Sequence, residues 1–188
     1  MALEDLIDKI LKTNWSEEQI NKFIGPYNGS FFTYSTDHLV RSNAASGGTV
    51  TSILEGLLNR GEIDAAVVCV LEVIDGKVEA NFRLARTHEE LLEAQGSKYI
   101  STRFSSQAME LIRNFEGKLA VVCLPCDAKL LNKAIEKSPE LKEKVTCIIT
   151  LFCGHLSQPD LTQLIVDRLR PEPESQLKDF RYRSGHWR

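Results

Sequence analysis

The 188-residue chain has 23 Lys and Arg against 26 Asp and Glu, a net charge of −3, and 43% apolar residues. This composition supports a buried core in one domain, or in one domain and part of another, and the interspersed charges exclude a nucleic-acid-binding footprint. No apolar run reaches the roughly 18 residues of a membrane span and no signal-peptide pattern opens the chain, so we expect a cytoplasmic protein. Its five cysteines are not a disulfide scaffold and favour buried, metal-binding or catalytic roles.

The N-terminal third predicts helices separated by irregular segments. Amphipathic spacing predicts short helices over Ala2–Lys12 and Ser16–Phe23, and a capping box opens the second. Phe31–Tyr34 is a candidate short strand, and the small residues of Arg41–Gly48 predict a loop. Apolar residues with the spacing of one helix face then predict a helix over Thr49–Asn59.

The middle of the chain predicts a β-hairpin followed by two helices. Strand patterns cover Asp64–Val73 and Lys77–Arg86, and the Asp-Gly pair between them is a strong hairpin signal. A capping box predicts a helix over His88–Gln95, which ends at the turn Gly96–Tyr99. A second helix is predicted over Ser105–Phe115.

The C-terminal part alternates apolar strands with helices. Strands are predicted over Leu119–Leu124 and Val145–Phe152, and helices over Cys126–Lys137 and Asp160–Leu169. Asp179–Trp187 is strand-like and has no closing turn. We therefore predict an α/β fold, with a mixed or mostly parallel sheet flanked by helices and a β-hairpin.

The cysteines after the two apolar strands are the strongest chemical signal. Cys126 and Cys153 each follow a predicted carboxyl end, and neighbouring parallel strands bring such ends to one edge of the sheet, where ligands bind. Cys126 also opens a helix, whose dipole stabilises a thiolate. Cys123 has C-x-x-C spacing to Cys126, but strand alternation points it into the core. Cys69 and Cys147 lie inside strands and are interpreted as buried packing residues. The chemistry expected at this edge is ligation of a metal or cluster, or thiol redox work.

Zinc is an alternative for the same edge. A closed zinc site needs four ligands, and Cys123, Cys126, Cys153 and His155 would supply them.

A glycine-containing loop leads directly into the helix that starts at Thr49. In Ser46-Gly47-Gly48 the glycines permit close backbone approach, and the first helical turn presents N–H groups that suit a phosphate, with Arg41 as a second anion ligand. The alternative is an ordinary helix start that Ser46 caps and the glycines pack.

A second turn also has groups that suit a nucleotide. Ser97 offers a hydroxyl, Lys98 an ammonium and Tyr99 an aromatic face, which would hold a phosphate and stack on a flavin or nucleotide ring. The alternative is a surface turn in which Gly96 ends the preceding helix.

In this order, these motifs resemble the beta subunits of coenzyme F420 hydrogenases and dehydrogenases. The resemblance covers about residues 25–188, and it depends on the joint order and spacing of several short motifs. The matching segments are Arg41-x-x-x-Ala45-Ser46-Gly47-Gly48-x-x-Thr51, Gly61-x-Ile63-Asp64-Ala65, Thr87-x-x-Glu90-Leu91, Gly96-Ser97-Lys98-Tyr99, Leu124-Pro125-Cys126, Leu151-Phe152-Cys153 and Phe180–Trp187.

The resemblance implies a flavin-binding oxidoreductase subunit that also carries a 4Fe–4S cluster. Such subunits pass electrons between an iron–sulfur, hydrogenase or dehydrogenase partner and a deazaflavin or another small acceptor, by way of FAD. The two glycine-containing turns would then hold FAD, and Cys126 and Cys153 would ligate iron. We expect a helical extension over residues 1–24. For the rest of the chain, the resemblance implies a flavin-binding domain over 25–104 and the start of a C-terminal domain, truncated, over 105–188.

Two departures from the family pattern affect these expectations. Cys123 stands where the family usually has Gly, and the family continues beyond Phe180–Trp187 with further cysteines. We therefore expect either a truncated chain or a short variant of the family, with a cluster that is incomplete or absent. The alternatives are a non-catalytic module that docks an electron-transfer partner, or a thiol or zinc protein that uses Cys123 and Cys126.

Overall fold

The computed structural model describes residues 15–154, 156–169 and 176–183, in two compact units that divide after Phe32. The first unit contains helix α1, Glu17–Ile24. Its predicted capping box is confirmed, because Ser16 Oγ accepts from Gln19 N and Gln19 Oε1 accepts from Ser16 N. The predicted helix over Ala2–Lys12 lies outside the described residues.

The second unit is built on a four-stranded mixed sheet, which confirms the predicted fold class. The strands are β1 Ala65–Ile74, β2 Lys77–Ala85, β3 Leu119–Cys123 and β4 Val145–Thr150. Their order is β2-β1-β3-β4, with β1 and β2 antiparallel and the other pairs parallel. The β1–β2 turn uses positive φ at Asp75 (51°) and Gly76 (73°), as a tight hairpin with right-handed strand twist requires.

Helices cover both faces of this sheet. In chain order they are α2 His38–Asn43, α3 Thr49–Asn59, α4 His88–Glu93, a π-helical turn Phe104–Ala108 that continues into α5 Met109–Asn114, α6 Pro125–Ile135, α7 Pro139–Lys144 and α8 Pro159–Leu169. None of the helices in the described part of the chain is long and apolar enough to cross a membrane.

Strand alternation produces two apolar cores, one on each face of the sheet. One face buries Val67 and Val121 against α5 and α6, for example at Ile112 and Leu131. The other buries residues such as Ala66 against α3 and α4. These cores hold the carboxyl ends of β3 and β4 side by side.

Several predicted elements differ in the structure. Residues 31–34 form no strand, since the side chains of Phe31, Phe32 and Tyr34 are exposed and bury no strand face. The predicted loop over 41–48 begins only at Ala44, because Asp37 caps the short helix α2 through Val40 N (2.9 Å). Helix α7 was not expected, although its Ser138-Pro139 start is a regular cap.

The C-terminal segment 179–183 is irregular, so the predicted strand is wrong there, and residues 184–187 lie outside the described part. This segment is held in place by side-chain contacts rather than by hydrogen bonds of the strand type. Tyr182 contacts the Tyr99 ring at 5.4 Å and the Phe180 ring at 4.9 Å, and its hydroxyl lies 2.6 Å from Thr162 Oγ1.

Candidate functional site

The loop before α3 has the backbone conformation that its glycines favour. Gly47 and Gly48 have φ of 71° and 80°, and Gly48 is the N-cap of α3. A Cβ on Gly48 would lie 2.8 Å from Val40 Cγ1, and one on Gly47 would lie 3.3 Å from Thr33 O. The glycines therefore serve the packing of the loop, whether or not a ligand approaches it.

Ser46 does not cap α3. The N-cap is Gly48, which has no side chain to offer, and Ser46 O accepts from Gly48 N at 2.9 Å. The first-turn N–H groups of α3 thus have no side-chain acceptor on the N-cap residue, as an anion-binding helix start requires.

The preceding segment braces this helix start. Ser35 N donates to Gly47 O at 2.7 Å, and the hydroxyls of Thr33 and Thr49 lie 2.8 Å apart. The Arg41 guanidinium, in the last turn of α2, lies 4.3 Å from the centre of the Tyr34 ring. Since Tyr34 Cβ is also next to Gly47, Arg41 lies close to the loop and remains exposed.

In the second turn, Lys98 binds the chain's own backbone. Its Nζ donates to the carbonyl oxygens of Ala94 (2.7 Å), Gln95 (3.2 Å) and Gly96 (2.9 Å), which uses all three ammonium donors. Burial lowers the pKa of Lys98. Lys98 therefore has no N–H left to donate to a phosphate, contrary to its predicted role. Its bonds instead stabilise the C-terminal end of α4.

Ser97 and Tyr99 face the C-terminal segment. A hydrogen bond with Ser97 lowers the pKa of the Tyr99 phenol, and a hydrogen bond with Arg183 and its positive charge add to this lowering, while burial opposes it. Tyr99 also meets Tyr182 edge to face. The turn therefore keeps its predicted hydroxyl and aromatic groups on the surface, in contact with residues 182 and 183.

Gln95 joins the two predicted cofactor-binding segments. Its Nε2 donates to Val40 O (3.0 Å) and Thr51 Oγ1 (2.9 Å), which links the turn after α4 to α2 and to the first turn of α3. Sequence reasoning did not select Gln95; its only signal was its position directly before Gly96. The structure thus brings the two glycine-containing segments together through one amide.

Cys126 and Cys153 follow neighbouring parallel strands, as predicted. Cys123 on β3 is opposite Thr150 on β4, and the two exposed cysteines each come three residues later. Leu151 N continues the pairing by donating to Cys123 O at 3.1 Å. Both thiols therefore lie beyond the same edge of the sheet.

The other three cysteines pack inside the fold. Cys123 is buried in one core, and burial, with the nearby Asp127, raises its pKa to about 12. Burial also raises the pKa of Cys69 to about 11 and raises that of Cys147. Cys69 and Cys147 are partly buried against the two cores, which agrees with their predicted packing role.

The turn Gly96–Tyr99 is connected by main-chain hydrogen bonds to the end of the sheet where Cys126 and Cys153 lie, which we call the cysteine edge. Ser157 N donates to Tyr99 O, and Ser101 N donates to Ser157 O, both at 2.9 Å. The segment after Cys153 thus runs beside the segment after Gly96–Tyr99.

Family comparison agrees with this arrangement. Residues 31–108 match the model of the N-terminal region of the coenzyme F420 hydrogenase/dehydrogenase beta subunit, and residues 116–188 match that of its C-terminal region. The chain belongs to this family. The predicted resemblance is therefore confirmed.

Two individual relatives of this family member come from Methanosarcina species. The F subunit of F(420)H(2) dehydrogenase from Methanosarcina mazei is 30% identical over 134 residues, which are 70% of this chain and 36% of the relative. The beta subunit of coenzyme F420 hydrogenase from Methanosarcina barkeri is 29% identical over 136 residues, 68% and 46% of the two chains. The chain spans half or less of the length of these curated relatives.

A solved structure shares the fold. A chain of the F420-reducing NiFe hydrogenase complex from Methanosarcina barkeri has a TM-score of 0.63 and 27% identity, over 76% of this chain and 51% of that chain.

The residues of this family member fit a flavin nucleotide better than a complete iron–sulfur cluster. Gln95 Oε1 is a buried acceptor without a partner in the described residues, and the turn beside it lines a cavity of about 270 Å³. A 4Fe–4S cluster takes four ligands, and Cys126 and Cys153 would supply only two. Within the described ranges, no three His, Cys, Asp or Glu side chains are placed to hold a metal ion, and His155 of the zinc alternative lies outside them.

Proposed function

We propose that this chain belongs to the electron-transfer subunit of an oxidoreductase complex and contains the part that binds a flavin nucleotide. The observation that carries the proposal is the Gln95 amide, which joins the start of α3 to the turn 96–99. The helix start without a side-chain cap suits a phosphate, and the turn with Tyr99 suits a ring. The Gln95 side chain connects the two directly. The names of the relatives support F420 as the acceptor of the complex.

Each group of the site has a separate task in this proposal. The first-turn N–H groups of α3 and the Arg41 guanidinium bind phosphate, and the loop held by Ser35 keeps those N–H groups oriented. Tyr99 offers its ring for stacking. When bound, FAD would exchange electrons one at a time with an iron–sulfur partner and as a hydride with a deazaflavin.

The cysteine edge is proposed as the contact with the electron partner. Phe152 is fully exposed next to Cys153, and Leu151 is also exposed. Since a large apolar side chain beside two exposed thiols is typical of a protein contact, an iron–sulfur protein docked here would lie near both Cys126 and Cys153.

Titration of the chain with FAD under anaerobic conditions tests the proposal. We expect saturable binding seen as quenching of flavin fluorescence, and we expect Arg41→Gln to weaken it about tenfold, or about 1.4 kcal/mol. Arg113→Gln, an exposed position on α5, is the matched control and should leave the affinity unchanged. Absence of FAD binding to the wild-type chain would contradict the proposed function.

A further inference from the structure

Helix α8 presents an apolar face to the solvent. Leu161, Leu164, Ile165 and Leu169 follow the spacing of one helix face, and they are between 41% (Ile165) and 75% (Leu169) exposed. Single exposed apolar side chains are ordinary on a protein surface, whereas a contiguous group of large ones is typical of a protein contact. The four side chains therefore form a candidate interface.

A different face of the same helix is attached to the fold. Thr162 and Val166 are buried, and Thr162 Oγ1 lies 2.6 Å from the hydroxyl of Tyr182. Gln163 Nε2 lies 3.5 Å from the carbonyl oxygen of Gly76 in the β1–β2 turn. The helix is thus held through these residues, and its exposed apolar face is available to a partner.

Charged side chains of opposite sign lie near the two ends of α8. Asp160 is in the first turn and Arg168 is in the last turn, and both side chains are exposed. Neither forms an ion pair with another residue in the described ranges of the chain. Leu164 lies midway between them, four residues from each. The charges are therefore arranged symmetrically about the centre of the apolar face and have opposite signs.

An antiparallel pair of α8 helices would satisfy both charges. About a two-fold axis at Leu164, residue 160 of one helix is level with residue 168 of the other, since each lies about 6 Å along the helix from the centre. Each Asp160 then meets an Arg168 of the second copy, as the self-complementary contact of a two-fold dimer requires. A parallel pair would instead place like charges together at both ends and would align the two helix dipoles.

We propose that the apolar face of α8 is an interface between two copies of this chain, which associate through antiparallel α8 helices. The apolar side chains supply the attraction, and the charges of Asp160 and Arg168 determine the antiparallel direction. The contact involves one helix of 11 residues from each copy, so its area is small for a stable complex and the dimer forms reversibly. This interface goes beyond the proposed function and does not depend on flavin binding.

Analytical ultracentrifugation of the full chain over a wide range of protein concentration tests the proposal. We expect the average mass to rise with concentration from 21.2 kDa toward twice that value. Leu164→Glu places two carboxylates together at the axis and should keep the chain monomeric. Leu130→Glu, at a position on α6 that is 42% exposed, is the matched control and should associate like the wild type. A wild type that stays monomeric at every concentration would overturn the proposal.

Charge reversal tests the antiparallel direction. Asp160→Arg and Arg168→Asp should each weaken self-association about tenfold, because two attractive pairs become repulsive. An equimolar mixture of the two variants should associate again, since each end of the interface then joins opposite charges. If the mixture associates as weakly as the separate variants, or if Leu130→Glu also dissociates the dimer, the proposal is wrong. Circular dichroism of each variant checks that the helices are retained.

Discussion

Ser157 N donates a 2.9 Å hydrogen bond to the carbonyl oxygen of Tyr99, 58 residues earlier in the chain. This bond attaches the segment that follows Cys153 to the turn that carries the proposed flavin contacts. Together with the bond from Ser101 N to Ser157 O, it forms a parallel bridge between Ile100 and Ser157. The turn and the segment after Cys153 are therefore joined through the main chain.

Gly48→Ala should destabilise the fold more than Gly61→Ala. Both residues have positive φ, which costs an alanine about 1–2 kcal/mol. Only at Gly48 does the new Cβ meet a neighbour, Val40 Cγ1 at 2.8 Å, whereas the space around Gly61 is open. We expect urea unfolding to show an additional loss of about 1–3 kcal/mol for Gly48→Ala. Equal losses would show that the loop relaxes freely around the new methyl group.

Lys98→Met should lower the free energy of unfolding by about 1.5–3 kcal/mol, because three carbonyl groups at the end of α4 lose a charged donor. Flavin affinity of the folded variant should remain close to that of the wild type. Urea unfolding and flavin titration of the same preparation measure both quantities. A large loss of flavin affinity without a loss of stability would instead support the phosphate role predicted from the sequence.

Alkaline pH should weaken the fold through its buried thiols. Burial raises the pKa of Cys123 from 9.0 to about 12, so between these values the unfolded state binds fewer protons and the free energy of unfolding falls as the pH rises. Cys123→Val removes this titration, and its stability loss between about pH 8 and pH 10.5 should be smaller than that of the wild type. Cys153→Val, at an exposed position, is the control and should lose as much as the wild type.

Cys126 and Cys153 should be the cysteines that respond first to reagents and to iron. Both are exposed, so iodoacetamide should label them in the folded chain, whereas Cys123 should require unfolding. Any iron that binds after anaerobic reconstitution should fall in Cys126→Ser and in Cys153→Ser, and it should stay unchanged in Cys147→Ser. Mass spectrometry measures the iron content of each variant against that of the wild type. If the iron content is the same in the wild type and in both variants, Cys126 and Cys153 are not iron ligands.

The elements that depend on local patterns were predictable from the sequence. The hairpin at Asp75-Gly76, the helix that starts at Thr49 and the strands before Cys126 and Cys153 all follow from periodicity and turn chemistry. The placement of both exposed cysteines beyond one sheet edge also followed, since parallel strands leave few choices. Family membership came from the order of short motifs along the chain, which needs no coordinates.

Tertiary structure alone decided what the polar side chains of the candidate site contact. Lys98 turns back to three carbonyl oxygens, because its stem is partly buried and those carbonyls end a short helix. Gln95 and Arg183 come to one cavity only because the C-terminal segment packs its aromatic rings against Tyr99. The Lys98 bonds are local in sequence, within four residues, whereas the Gln95 bonds reach residues 44 and 55 positions away. The energy of both depends on burial and geometry that the residue pattern alone does not encode.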